Sequence, residues 1–83
     1  MFKGSTQRET LELNGWGIGD ILEGDEGHGP QRILITAIGV ERFLCKWDYK
    51  CNGVYAAESG QTTLNFREWV KVGSNHEKPT EAV

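Results

Sequence analysis

Phe43-Leu44-Cys45-Lys46-Trp47-Asp48-Tyr49 is the stretch whose reading decides the fold. Phe43, Cys45, Trp47 and Tyr49 fall on one face of an extended chain, and Leu44, Lys46 and Asp48 fall on the other. Period-two alternation marks a half-buried β-strand, whereas a helix would space its apolar residues by three and four. The predicted strand is Arg42–Tyr49. Just upstream, Gln31–Ile38 alternates Ile33, Ile35 and Ala37 with Arg32, Leu34 and Thr36. Leu34 and Ile38 put apolar groups on its second face as well, which predicts a central or strongly curved strand. Gly39-Val40-Glu41 is short enough to join the two as a hairpin.

Working outward, Gly19–Glu23, Gln61–Asn65 and Trp69–Val72 complete five predicted strands. Thr62, Leu64 and Phe66 lie on one side of the fourth. Phe66-Arg67-Glu68 has the length of a single 3₁₀ turn. The chain has 11 glycines, and they fall between apolar runs, which reads as turn punctuation and not as a linker. Gly24–Pro30 and Lys50–Gly60 are the larger loops. Thr10-Leu11-Glu12-Leu13 reads either as an added strand or as the start of a short helix, with a turn at Asn14-Gly15. The expected architecture is all-β: a small closed five-stranded barrel over residues 14–73, a flexible N-terminal segment over 1–13 and a disordered tail over 74–83.

With 83 residues and two polar ends, the core is small. Chain entropy nearly cancels the hydrophobic gain in a domain of this size. Three Trp, three Phe and two Tyr help, since each large aromatic removes much apolar area from water. The net charge of −3 argues against a general nucleic-acid binder. No apolar run approaches the length of a membrane span, and the first residues carry no signal-peptide core. The expected location is the cytosol, where Cys45 and Cys51 stay reduced.

This layout resembles the SH3-like, or Tudor-like, small barrel, in which the resemblance implies a ligand surface between the loop after the first strand and its neighbours. The peptide-binding patterns of eukaryotic SH3 domains are missing, so proline-rich recognition is not implied. Gly15-Trp16-Gly17-Ile18-Gly19-Asp20-Ile21-Leu22-Glu23-Gly24-Asp25-Glu26-Gly27, with Gly29–Gly39 and Arg67-Glu68-Trp69, further resembles a family of small bacteriophage and prophage proteins. That resemblance implies a mobile genetic element in a bacterial cytoplasm as context and transfers no chemistry.

The loop from Glu23 to Pro30 is the sharpest local feature. Glu23, Asp25, Glu26 and His28 sit among three glycines, so they form either an acidic surface for a basic partner or a solvated turn. Calcium would need a denser oxygen set. Tyr49 and Tyr55 are added as partner-binding candidates, because aromatic faces attract bases and cations. Trp16 and Trp69 are expected in the core. Arg32, Arg42, Lys46 and Lys50 share one hairpin region and make the alternative, a nucleic-acid surface. Cys45 reads as a small core hydrophobe and Cys51 as a loop residue, and neither has zinc-ligand spacing. No nucleophile–base arrangement has a local signature, so neither catalysis nor a cofactor is expected. The functional expectation is a binding protein, acting on a protein partner of host or phage. The alternatives are a nucleic-acid module and an oligomer that sequesters a nucleotide.

Overall fold

The computed structural model describes residues 1–25, 27, 29–49, 51–55, 60–61, 64 and 67–74. Among these, the elements are α1 (Gln7–Asn14), β1 (Asp20–Asp25), β2 (Pro30–Ile38), β3 (Phe43–Tyr49), β4 (Gly60–Gln61) and β5 (Trp69–Ser74). The molecule is mostly β: an open antiparallel sheet of four substantial strands, with the two-residue β4 at its edge in the order β4-β3-β2-β1-β5. The alternating runs fold as their periodicity predicts. Ile33 and Ile35 pair with Trp47 and Cys45 across β2 and β3, and Leu22 pairs with Ile33 across β1 and β2, so all five face one side. Register shifts between Ile35 and Ala37 and between Ile21 and Leu22 bend the sheet around that side, as bulges do.

Among the described residues neither the five full strands nor the barrel closure expected from the sequence is present. β4 contributes two residues where Gln61–Asn65 was expected, and two residues carry too short a ladder to close a barrel. Leu64 lies in a 3₁₀ turn, while Thr62, Thr63 and Asn65 are outside the described residues. Among the described residues no pairing joins β5 to β4.

Residues 1–13, expected to be a flexible segment with a strand or short helix start at Thr10–Leu13, contribute most of α1 and bury Thr10 and Leu11. Thr6 is its N-cap, with extended backbone and a hydroxyl that accepts from the Glu9 N–H at 3.0 Å. Gly15 ends the helix in the left-handed region at φ 73°. Its N–H reaches the Glu12 carbonyl at 3.2 Å, and Trp16 N–H reaches the Leu11 carbonyl at 2.9 Å. Thr6-x-x-Glu9 is the capping pattern that could have flagged this start. The helix lacks an apolar stripe because Leu11 and Thr10 are its only buried residues. The Arg8 N–H donates to the Glu41 carbonyl at 3.0 Å, and Gln7 Oε1 accepts from the Leu64 N–H at 2.6 Å. The helix thus ties the β2–β3 hairpin to the turn at Leu64.

The core is Leu11, Leu22, Ile33, Ile35, Phe43, Cys45, Leu64 and Trp69, with Met1, Trp16, Ile38 and Trp47 packed against it. Cys45 and Trp69 are buried as expected, and Trp16 is half-buried at the rim. No helix among the described residues is long and apolar enough to cross a membrane.

Candidate functional site

Strand register decides which candidate residues meet. Gly24 pairs with Gln31 on one side and Trp69 on the other, and Gln31 pairs with Tyr49. These four therefore line up on the core face at the end of the sheet where β1 turns into β2. Gly24 is required there: a Cβ would lie 2.9 Å from Trp69 Cδ2 and Cε3 and 3.0 Å from Arg67 Cδ. Without it, the Trp69 indole could not lie across β1. The Arg67 guanidinium sits 5.3 Å from the Trp69 ring and 5.6 Å from the Trp47 ring. Its Nη1 donates to Gln31 Oε1 at 2.9 Å and to the Gly24 carbonyl at 3.3 Å. Trp47 meets Trp69 edge-on at 6.3 Å and stacks with Tyr49 at 5.7 Å, 11° from parallel. The series ends at Tyr49, which is 57% exposed. Trp69 is buried, and its Nε1 has no hydrogen-bond partner among the described residues.

The opposite face at this end is built from charge. Glu23 and Arg32 are cross-strand partners, with Arg32 Nε donating to Glu23 Oε1 at 3.0 Å. That hydrogen bond pushes the Arg32 pKa further up. Arg32 also lies opposite Asp48. Asp48 is buried and accepts from the N–H groups of Asn52 and Gly53 at 3.0 and 2.7 Å, which folds the 51–55 loop over it. Cys51 turns that loop at φ 57° and donates weakly to Glu23 at 3.7 Å. Desolvation, with the nearby Glu23 and Asp48, raises the Cys51 thiol, so it stays protonated and a poor nucleophile. Tyr55 is raised by desolvation and by Asp48.

The acidic-partner set and the basic set of the sequence reading are therefore interleaved. Glu23 and Tyr55 fall beside Arg32, on the face away from Tyr49. Asp25 stays at the turn, where its Oδ1 accepts from Gly27 N–H at 2.6 Å and Gly29 N–H at 3.2 Å. Lys46 shares the outer face with Arg32, while Arg42 lies at the far hairpin. Glu26, His28 and Lys50 lie outside the described residues. Around Arg42 is a mainly apolar cavity of about 270 Å³, lined by Ala37, Ile38, Gly39, Arg42, Phe43 and Leu44.

Arg67 is the member that sequence reasoning did not bring to this surface. Trp47 was visible on the Tyr49 face, but nothing local couples it to Arg67, twenty positions on. Cys45 and Cys51 are both free thiols on opposite faces. Burial drives Cys45 up to about 11. Among the described residues no three His, Cys, Asp or Glu side chains cluster closely enough to hold a metal.

The family model described as Domain of unknown function (DUF7241) matches residues 5–74. The chain belongs to this family. The match takes in α1 as well as the sheet, so the helix lies within the family domain and is not an appendage to it. No curated protein and no solved structure matches the chain.

Proposed function

We propose that this DUF7241 chain is a non-enzymatic binding protein that engages a protein partner through the aromatic end of its sheet. The observation that carries this is the series Trp69–Arg67–Trp47–Tyr49, fixed at its buried end by Gly24 and open at Tyr49. Exposed aromatic residues on a rigid, packed base supply contact area with little entropy left to lose, the property that makes them interface anchors. A role without turnover is supported by the engagement of three groups among the described residues. Glu23 is held by Arg32, Asp48 by two backbone amides, and the Cys51 thiol is kept protonated.

The strand order, with β1 between β2 and β5 and the short β4 beyond β3, supports reading the sheet as SH3-like in its topology, with its ends left unpaired among the described residues. The resemblance of residues 15–27 to phage proteins supports a phage or prophage accessory factor that modulates a host or phage macromolecule. Inhibition of a host-defence complex is a special case of this reading. A photo-crosslinking residue placed at Tyr49 tests it in bacterial lysate. A discrete adduct formed from Tyr49, and missing from Val40 at the opposite end, is the expected result. Equal labelling from both positions would count against the reading.

Nucleic-acid binding is the second reading. It has one observation in its favour, the common outer face of Arg32 and Lys46. Glu23 neutralises Arg32 directly, which weakens that face as a phosphate tract. Retention on single- or double-stranded DNA that falls with salt would favour it over the protein partner.

A further inference from the structure

The sequence holds two Asn-Gly pairs, Asn14-Gly15 and Asn52-Gly53. Such a pair carries its own reaction. The glycine backbone nitrogen can attack the asparagine side-chain carbonyl carbon, because no Cβ obstructs the five-membered ring that forms. For this the nitrogen must lose its proton, and the side-chain amide must be free to turn. The fold treats the two pairs oppositely.

Asn14 closes α1 with its side chain fully engaged. Its Nδ2 donates to the Phe2 and Thr10 carbonyls, both at 2.7 Å, and its Oδ1 accepts from the Phe2 N–H at 2.9 Å. The Gly15 N–H is turned onto the Glu12 carbonyl, which takes up a proton far less readily than a carboxylate does. Asn52 is exposed, and among the described residues its side chain makes no hydrogen bond. The Gly53 N–H meets a carboxylate, Asp48 Oδ2 at 2.7 Å, and the Asn52 N–H holds the other oxygen at 3.0 Å. That is the reach at which a general base takes a proton. Asp48 is 1% exposed, so little water competes for it.

We infer that Asn52-Gly53 is a self-modification site, at which the folded chain deamidates Asn52 with Asp48 taking the Gly53 amide proton. The Gly53 nitrogen bonds to Asn52 Cγ, the proton passes through Asp48 to the departing Nδ2 group, and the Cγ–Nδ2 bond breaks to release ammonia. Water then opens the cyclic imide at either carbonyl, leaving aspartate or isoaspartate at position 52. Either product adds a carboxylate beside Asp48. Isoaspartate also reroutes the main chain through the former side chain, which draws the Gly53 N–H off Asp48. The change falls on the loop over the Glu23–Arg32 face and leaves the aromatic end on the other face as it was.

The test follows both asparagines in the full chain by peptide mass spectrometry, during incubation at neutral pH in buffer and in urea. Electron-transfer fragmentation separates isoaspartate from aspartate. In urea the two pairs should convert at similar rates. In buffer Asn14 should be protected, and Asn52 should convert at least about tenfold faster than in urea, part of what a positioned base supplies. Asn52 converting no faster in the folded chain than in urea would overturn the inference, because Asp48 would then clamp the amide and not relieve it of its proton. Asp48→Asn keeps an acceptor for the Gly53 N–H but no base, and should bring the folded rate at Asn52 down to the urea rate or below. An unchanged rate in the folded variant would also overturn the inference. The buffer-to-urea ratio needs no variant, so it decides the matter even if Asp48→Asn fails to fold.

Discussion

At the β1–β2 turn, the two faces of the sheet are made by alternate residues of the same strands, and they differ in what they leave open. On the outer face Glu23 meets Arg32, Asp48 takes two amides, and the 51–55 loop covers it. On the core face Trp69, Arg67 and Trp47 pack in series, and the series ends in an uncovered Tyr49. The face richer in reactive side chains has turned them on one another. The face poorer in them leaves an aromatic ring uncovered. Titratable groups therefore locate structure in this molecule, and the proposed contact lies with the aromatic at the end of the packed row.

Substitutions can break that contrast, and the largest effect belongs to its buried anchor. Trp69→Ala removes an indole 1% exposed and leaves a cavity under Arg67 and Trp47. The expected loss is about 3–5 kcal/mol, enough to unfold a domain with so small a core, and loss of the cooperative thermal transition would show it. Gly24→Ala pushes a methyl to within 2.9 Å of the Trp69 ring, so the ring or β1 must shift. A cost of about 1–3 kcal/mol is expected, with a lower urea midpoint and a moved Trp69 indole signal. An unshifted midpoint would show that the glycine does not fix the anchor.

Next in size is the pH response of Cys45. Its folded pKa of about 11 stands above the ordinary 9.0, so the unfolded chain gives up the thiol proton first. The contribution to stability is complete below pH 9 and declines as pH rises toward 11. Urea midpoints between pH 8 and 11 should fall, and Cys45→Ala should flatten the fall that belongs to this thiol. The smallest effect is expected on the outer face. Glu23→Gln breaks a half-exposed ion pair and should cost about 0–1 kcal/mol by urea denaturation.

Much of the sheet was legible because β2 and β3 bury alternate residues, and their ends came within one residue of the observed ones. The helix was legible only in part, as one of two readings of Thr10–Leu13, since only Thr10 and Leu11 turn to the core and its start is written in capping chemistry at Thr6 and Glu9 instead of in periodicity. Tyr49 was readable by its parity with Trp47. Glu23 and Arg32 were assigned to different surfaces because the hairpin register that sets them opposite one another depends on a turn of several residues. Arg67 was out of reach for a related reason. Its place over two indoles follows from β5 pairing with β1, a long-range contact that no local pattern encodes.

Tyr49→Ala tests the division of labour between the faces most directly, with stability and binding read on the same sample. The exposed ring should contribute little to folding and much to contact. The account predicts an unfolding free energy from urea titration within about 0.5 kcal/mol of the parent, as for an ordinary surface change, together with loss of the partner that crosslinks at this position. A large fall in midpoint with the partner still bound would contradict it.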